Sequence, residues 1–342
     1  MSIFKNKKIL VTGGTGSLGK ELVRHLLKNE QPETVRIFDV DETEQFDFQH
    51  ELKGFENITR FLLGDVRDKE RLHRAAEGVD IIFHTAALKH VGACEYNPFE
   101  AVKTNVLGTQ NVIDVAIDNN VERIIFTSSD KAVNPSNTMG ATKLLAEKLM
   151  TSANFYKGHR DCIFSSVRFG NVMGSRGSVI PLFKQQIKSG GVVTITDPTM
   201  TRFMMSMSQA VDLVLSSVEM AKGGEVFIFK MPTINISDLA EVLIEGLAPR
   251  YGHSPKDINI EIIGTNPGEK MYEELMTEDE AIRSLERDDM FIILPEIEDG
   301  LTVIDKSAYN ATPIRSKDYV SKDTVPITRG EIKSILKKDG II

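Results

Sequence analysis

The chain opens with a short apolar strand, Lys8-Ile9-Leu10-Val11-Thr12, and runs without a linker into Gly13-Gly14-Thr15-Gly16-Ser17-Leu18-Gly19 and a segment of helical spacing over residues 21–28. A strand that passes through a glycine turn directly into a helix restricts the fold severely. The helix must return across the strand, and the next strand then lies parallel to the first. Read from Gly14, the turn is G-x-G-x-x-G. Glycines there allow a tight turn and let the backbone approach a pyrophosphate at the helix N-terminus. Gly13, Thr15, Gly16, Ser17, Leu18 and Gly19 are therefore candidate dinucleotide contacts. The plain alternative is a glycine-rich turn that binds nothing.

The second strand is Thr34-Val35-Arg36-Ile37-Phe38, and Asp39, twenty residues past Gly19, ends it. That is the spacing of an acidic residue that accepts the adenosine ribose hydroxyl. A carboxylate there repels a 2′-phosphate, which favours NAD over NADP; an exposed loop aspartate is the alternative. Phe61-Leu62-Leu63 reads as a third strand turning at Gly64-Asp65-Val66, and Asp80-Ile81-Ile82-Phe83-His84 as a fourth ending in Thr85-Ala86-Ala87-Leu88-Lys89. A long helix over residues 98–119 follows. The repeated alternation predicts an α/β protein with a doubly wound parallel sheet.

Arg123-Ile124-Ile125-Phe126-Thr127 is the next buried strand, and residues 140–150 carry helical spacing. Asp130 and Lys131 lie between them, at the strand end that faces the ligand in open α/β sheets. Lys143 follows Met139 by four residues, so the two share a helix face. The plain alternatives are a surface salt-bridging dipeptide and an ordinary helix lysine.

Composition adds exclusions. A net charge of −8 argues against a nucleic-acid surface. Cys94 and Cys162 belong to no motif and read as buried thiols, and the histidines show no ligand spacing, so no metal is expected. No signal-type apolar segment or membrane-length run is evident, which makes the cytoplasm the default and a membrane partner unexpected.

In the second half, Arg168 follows an apolar strand over residues 163–167, and Arg176 and Arg202 lie in loop-like segments. Planar guanidinium groups suit phosphates; solvated surface charge is the alternative. Residues 225–229 read as a strand, Ser237 as the N-cap of a helix to about Leu247, and residues 329–338 as an amphipathic surface segment.

Three stretches are more specific: Ala86-Ala87-Leu88-Lys89-His90-Val91, Ser129-Asp130-Lys131-Ala132 and Met139-Gly140-Ala141-Thr142-Lys143. With Pro267-Gly268-Glu269-Lys270-Met271, they resemble the UDP-N-acetylglucosamine 4,6-dehydratases. These are polysaccharide-biosynthesis members of the extended short-chain dehydrogenase/reductase superfamily, and the resemblance covers nearly the whole chain.

The resemblance implies a Rossmann-type NAD-binding domain over residues 1–170, with strands added from the second half. A smaller C-terminal nucleotide-sugar lobe over residues 171–342 would complete a homo-oligomeric enzyme. It implies cofactor contacts from Asp65, Val66, Ala86, Lys89 and Lys143 beside the glycine turn and Asp39. It implies UDP-sugar contacts from Lys89, Asn171, Val179, Leu182, Arg202 and Glu269. The implied reaction oxidises sugar C4, eliminates water across C5 and C6 and returns hydride to C6. Lys131 would be the C5 base, Asp130 the acid to the departing O6, and Lys143 the ligand of the nicotinamide ribose. Burial is expected to lower the Lys131 pKa and raise that of Asp130 toward those tasks.

Two positions depart from the family pattern. Asn266 stands where relatives often carry arginine. Met139 stands where most short-chain dehydrogenases carry the tyrosine that takes the hydroxyl proton. The protein is then either inactive, an NAD-binding module, or an enzyme whose O4 proton leaves through Asp130 or a water. A 4-epimerase is the competing enzyme reading. Retention or inversion at C5, and the glycan served, stay open.

Overall fold

The computed structural model describes residues 2–265, 268–296, 305–314 and 318–342, so Asn266 lies outside the described residues. Largely apolar runs become parallel strands, β1 (Lys8–Thr12), β2 (Thr34–Asp39), β4 (Ile81–His84), β5 (Arg123–Ser129) and β6 (Ile163–Phe169) in the buried body of the sheet and β3 (Thr59–Leu63) on its more exposed edge. They pair in the order β3-β2-β1-β4-β5-β6, the order of a doubly wound sheet, whose switch point between β1 and β4 opens a crevice at the carboxyl ends. The second half extends the same sheet. Val226–Phe229 adds in parallel beside β6, and Met290–Ile293, Ser284–Glu286 and Thr312–Pro313 continue it antiparallel.

Helices cover both faces. On one, Leu22, Val23 and Leu26 from the first helical segment pack with Val211, Val214 and Val218 of Met207–Met220. On the other, Val112, Ile113 and Ala116 meet Ala146 and Met150 of the helix Thr138–Tyr156. A separate core in the second half joins Ile180, Phe183 and Ile187 to Leu239, Leu243 and Leu247.

Several local expectations are corrected. The third strand starts at Thr59, two residues before its apolar run. The expected helix over residues 98–119 is a run of Pro98–Ala101, a π-helical segment Val102–Leu107 and Gly108–Asp118. The cap of Ile236–Leu247 is Asn235, whose side chain accepts from the backbone N–H groups of Ser237 and Asp238, so Ser237 is already inside the helix. Arg329–Lys338 is a docked helix. Ile332 and Leu336 are buried in the second core, and Arg329 pairs with Asp238.

Arg168 is the largest correction. It is 1% exposed and does not face a phosphate site. Its guanidinium donates to both Glu147 oxygens at 3.1 and 2.6 Å, to both Glu280 oxygens at 3.0 Å and to the Leu275 carbonyl at 2.8 Å. Burial opposes the charge, but Glu147 and Glu280 outweigh it and raise its pKa. Removing one member of such a cluster leaves buried charge uncompensated. Arg168→Met is expected to lower the unfolding free energy by about 3–5 kcal/mol, read from urea denaturation midpoints at constant m.

Candidate active site

A cleft of about 820 Å³ opens along the carboxyl ends of the parallel strands. One wall is the turn after β1. Gly13 has φ +68°, and a Cβ there would lie 2.6 Å from the backbone nitrogen of Ala86, so glycine is required where β1 and β4 approach. Asp39, at the end of β2, accepts from the Thr15 backbone N–H at 3.0 Å, which ties the acidic residue to the turn. Gly13, Thr15, Gly16, Ser17, Leu18, Gly19, Asp39, Asp65, Val66, Ala86, Lys89 and Lys143 all line this cleft. Three buried hydroxyls on it, Thr15 Oγ1, Ser128 Oγ and Ser178 Oγ, have no partner among the described residues. The glycine turn, the carboxylate and these unpartnered hydroxyls together fit a dinucleotide.

A loop from the second half crosses over this wall. The Arg176 backbone N–H donates to Ser17 Oγ at 3.0 Å, and its guanidinium donates to the Thr15 carbonyl at 3.1 Å and to Glu44 at 2.7 Å. Lys89 Nζ in turn donates to the Arg176 carbonyl.

The floor is the end of β5. The chain leaves Ser129 into a short 3₁₀ turn, Asp130–Ala132, which buries Asp130 at 4% exposure. Gly140, in the first turn of the following helix, packs against this turn. A Cβ at Gly140 would lie 2.1 Å from the Lys131 carbonyl oxygen, so the helix seats only without a side chain there. That seating delivers Lys143, 6% exposed, whose Nζ donates to the Thr127 carbonyl at 2.8 Å and lies over the Phe126 ring. Burial lowers the Lys143 pKa to about 8, against a smaller upward pull from Glu147. Met139 shares the helix face and also lines the cleft. It packs with Cys94 and Ala101 and offers no proton-transfer group.

Lys131 Nζ donates to both Asp130 oxygens at 3.0 Å, and Ser129 Oγ donates to Asp130 at 2.7 Å. The expected pKa directions are therefore reversed in the protein alone. Burial disfavours the Asp130 carboxylate, but the Lys131 charge and hydrogen bonds from Ser129 and Lys131 hold its pKa below the usual range. Burial likewise disfavours the Lys131 ammonium, but Asp130 and then Glu273 raise its pKa, with Arg202 opposing. The pair rests as carboxylate and ammonium.

Glu273 was not singled out from the sequence. It is 5% exposed and accepts from Asn171 Nδ2 at 2.8 and 3.0 Å and from the Phe203 N–H at 2.9 Å. Arg202 Nε lies 3.4 Å and Lys131 Nζ 3.9 Å from its Oε1. Burial, then the Asp130 charge, push its carboxyl up to about 7 against Lys131, Arg202 and Asn171. In sequence it sits in Glu273-Glu274 and reads as solvated charge. The backbone turns the neighbours apart, and Glu274 accepts instead from Asn134.

Asn171 lines the cleft. Val179, Leu182, Arg202 and Glu269 do not. Val179 opens the helix Val179–Lys188, Leu182 is exposed, and Arg202 is held by the carbonyls of Thr201 and Lys270 and by Glu269 and Glu273. Among the described residues no cluster of three or more His, Cys, Asp or Glu could hold a metal, and no helix is long and apolar enough to cross a membrane.

The site and fold define a nucleotide-binding Rossmann protein of the short-chain dehydrogenase/reductase type. A family model described as "Polysaccharide biosynthesis protein" matches residues 9–295, and the chain belongs to this family, in the extended short-chain dehydrogenase/reductase superfamily. It is 57% identical to an uncharacterized membrane protein of Methanocaldococcus jannaschii over 98% of this chain and 97% of that one. It is 42% identical to a UDP-N-acetylglucosamine 4,6-dehydratase (inverting) of Campylobacter jejuni over 94% and 92% of the two chains. It is 38% identical to a UDP-glucose 4-epimerase of Rickettsia conorii over 98% and 96%. The solved structure of Pen from Bacillus thuringiensis superposes with a TM-score of 0.93 at 46% identity, covering 99% of each chain. The chain is thus similar to enzymes that modify nucleotide sugars.

Lys143 generates a pH test. Its folded pKa is depressed from 10.5 to about 8, so the unfolded chain binds more protons between those values. The penalty of burying its charge is complete below pH 8 and is relieved as pH rises toward 10.5. The stability of Lys143→Met relative to wild type, read from Tm in the absence of cofactor, is expected to be greatest below pH 8 and to decline across that window. A difference independent of pH would overturn the depressed pKa.

Proposed function

We propose that the chain is a nucleotide-sugar 4,6-dehydratase that converts UDP-N-acetylglucosamine to a UDP-4-keto-6-deoxy sugar. The observation that carries this reading is the Asp130–Lys131 pair at the end of β5, in one cleft with Lys143 and the glycine turn and with methionine at position 139. A simple dehydrogenase has no use for a second acid–base pair; an elimination does.

NAD suits the cleft, Asp39 favours it over NADP, and when bound it supplies hydride acceptance from C4 and hydride return to C6. The protein's residues handle protons. Asp130, ionised at rest, takes the O4 proton that Met139 cannot. Its carboxyl then carries the proton that the departing O6 needs, so one group serves both steps. Lys131 removes the C5 proton once it has lost its own. Lys143 binds ribose hydroxyls and lends positive charge. Lys89 and Asn171, which line the cleft, would contact the UDP-sugar, with Val179, Leu182, Arg202 and Glu269 reaching it from outside the cleft's present lining. The reading carries with it a role in surface polysaccharide or glycan biosynthesis, a cytoplasmic location and a homo-oligomeric enzyme.

The name of the Rickettsia relative supports a second reading, a 4-epimerase. The Asp130–Lys131 pair counts against it, since an epimerase removes no C5 proton and leaves Lys131 without a task.

Proton NMR of UDP-N-acetylglucosamine with the protein and NAD in deuterated water separates the two. The expected spectrum gains a C6 methyl and a 4-keto or hydrated-keto sugar. A C4 epimer that keeps its C6 hydroxyl would establish the epimerase. Asp130→Asn is expected to slow even the first oxidation by about 100-fold or more, read from the near-ultraviolet absorbance of reduced nicotinamide in single turnover. Unchanged oxidation would remove Asp130 from the O4 step.

A further inference from the structure

An elimination run by Asp130 and Lys131 leaves one proton unaccounted for. Asp130 must begin ionised to take the O4 proton, and Lys131 must be neutral to take the C5 proton. In the protein, however, Lys131 rests as an ammonium paired to Asp130. Returning its proton to Asp130 would disable the first step. A separate acceptor is needed beside Lys131.

Resting on the dehydratase reading, we propose that Glu273 is that acceptor: it takes the Lys131 ammonium proton and holds it through the elimination. The balance is one proton moved, Lys131–NH₃⁺ and Glu273–COO⁻ becoming Lys131–NH₂ and Glu273–COOH, with no change in oxidation state or total charge. Glu273 touches neither reacting carbon and acts through Lys131.

The geometry supplies the reach and the rigidity. Glu273 Oε1 lies 3.9 Å from Lys131 Nζ, within ion-pair distance. Its oxygens are aimed by Asn171 Nδ2 and by the Phe203 N–H, and its own backbone N–H donates to Ser321 Oγ. A buried carboxyl fixed by three separate segments is built into place. The charges facing Lys131 are few: Asp130 and Glu273 favour its proton and Arg202 opposes it, with Lys89 and Lys270 also within its field. Glu274 is turned away onto Asn134. Of the two carboxyls paired to Lys131, only Glu273 is free of a substrate proton. Burial and the Asp130 charge raise its carboxyl to about 7, which makes it a better proton acceptor than Asp130; the Lys131 ammonium still titrates above it, so the exchange runs uphill and the neutral pair forms only transiently.

The test is Glu273→Gln, which keeps the amide-sized shape and loses the ability to accept a proton, with Glu273→Asp as the rescue and the check on folding. In single turnover with UDP-N-acetylglucosamine, C4 oxidation is expected to survive in Glu273→Gln. C5 proton exchange with deuterated water and C6 methyl formation are expected to fall by about 100-fold. The acidic limb of elimination should move up by at least about one pH unit, since Lys131 must now lose its proton to solvent at its own pKa. Glu273→Asp should restore most of both. Equal loss of both half-reactions, or an unmoved limb, would overturn the proposal and leave Glu273 a structural brace.

A second readout needs no reaction. In lysine-labelled protein, the Lys131 side-chain NMR signal, assigned by its absence in Lys131→Met, is expected to show an inflection near pH 7 that Glu273→Gln removes. An inflection that persists would overturn the shared proton. Wild-type protein that forms no 4-keto sugar but shows this inflection would sink the dehydratase reading while sustaining the Lys131–Glu273 coupling.

Discussion

The buried Arg168 guanidinium holds the working parts in register. It sits on β6, grips Glu147 on the helix that carries Met139 and Lys143, and grips Glu280 and the Leu275 carbonyl in the second half. Glu147 is also the charge that opposes the depression of the Lys143 pKa. The same ion cluster therefore sets a distance between two halves of the chain and moderates the electrostatics of the cleft floor. A buried charge cluster is weak as a source of stability but exacting in geometry, because few arrangements satisfy five donors at once.

Much of the architecture was legible because parallel strands buried on both faces are written as plain apolar runs. β1, β2, β4 and β5 could be read from Ile, Val, Leu and Phe, and the turn between β1 and the first helix from its glycines. Strand β3 was legible only in part, since Thr59 and Arg60 pair in the ladder without an apolar signature. The π-helical stretch Val102–Leu107 has no composition of its own, and so read as ordinary helix. In sequence the C-terminal helix reads as a surface segment because its apolar side is narrow. Ile332 and Leu336 alone anchor it by deep burial, and they acquire meaning only when the helix Ile236–Leu247 lies beneath them.

The cleft was legible where chemistry is local in sequence. The glycine turn, Asp39, Asp130, Lys131 and Lys143 each announce themselves by position relative to a strand or helix end. Arg168 and Glu273 do not, because their roles depend on partners roughly a hundred residues away, such as Asn171 for Glu273. Arg168 looked like a phosphate ligand and is a structural cation. Glu273 looked like surface charge and is one of the most enclosed acids of the site. The reversal of the Asp130 and Lys131 pKa directions has the same origin. Burial was anticipated, but each residue's opposite charge at 3.0 Å outweighs it.

The loop that carries Arg176 across the glycine turn bears on kinetics as well as binding. Its backbone and guanidinium fasten to Ser17, Thr15 and Glu44, and Lys89 fastens to it in turn. A dinucleotide bound against that wall would lie beside a strap tied at several points, and its release would be slowed by whatever contacts must open with it. A reaction that returns every hydride it removes never requires that release. On the dehydratase reading proposed above, the protein would carry its own redox partner from one substrate to the next, and its flux would be uncoupled from the balance of oxidised and reduced nicotinamide around it.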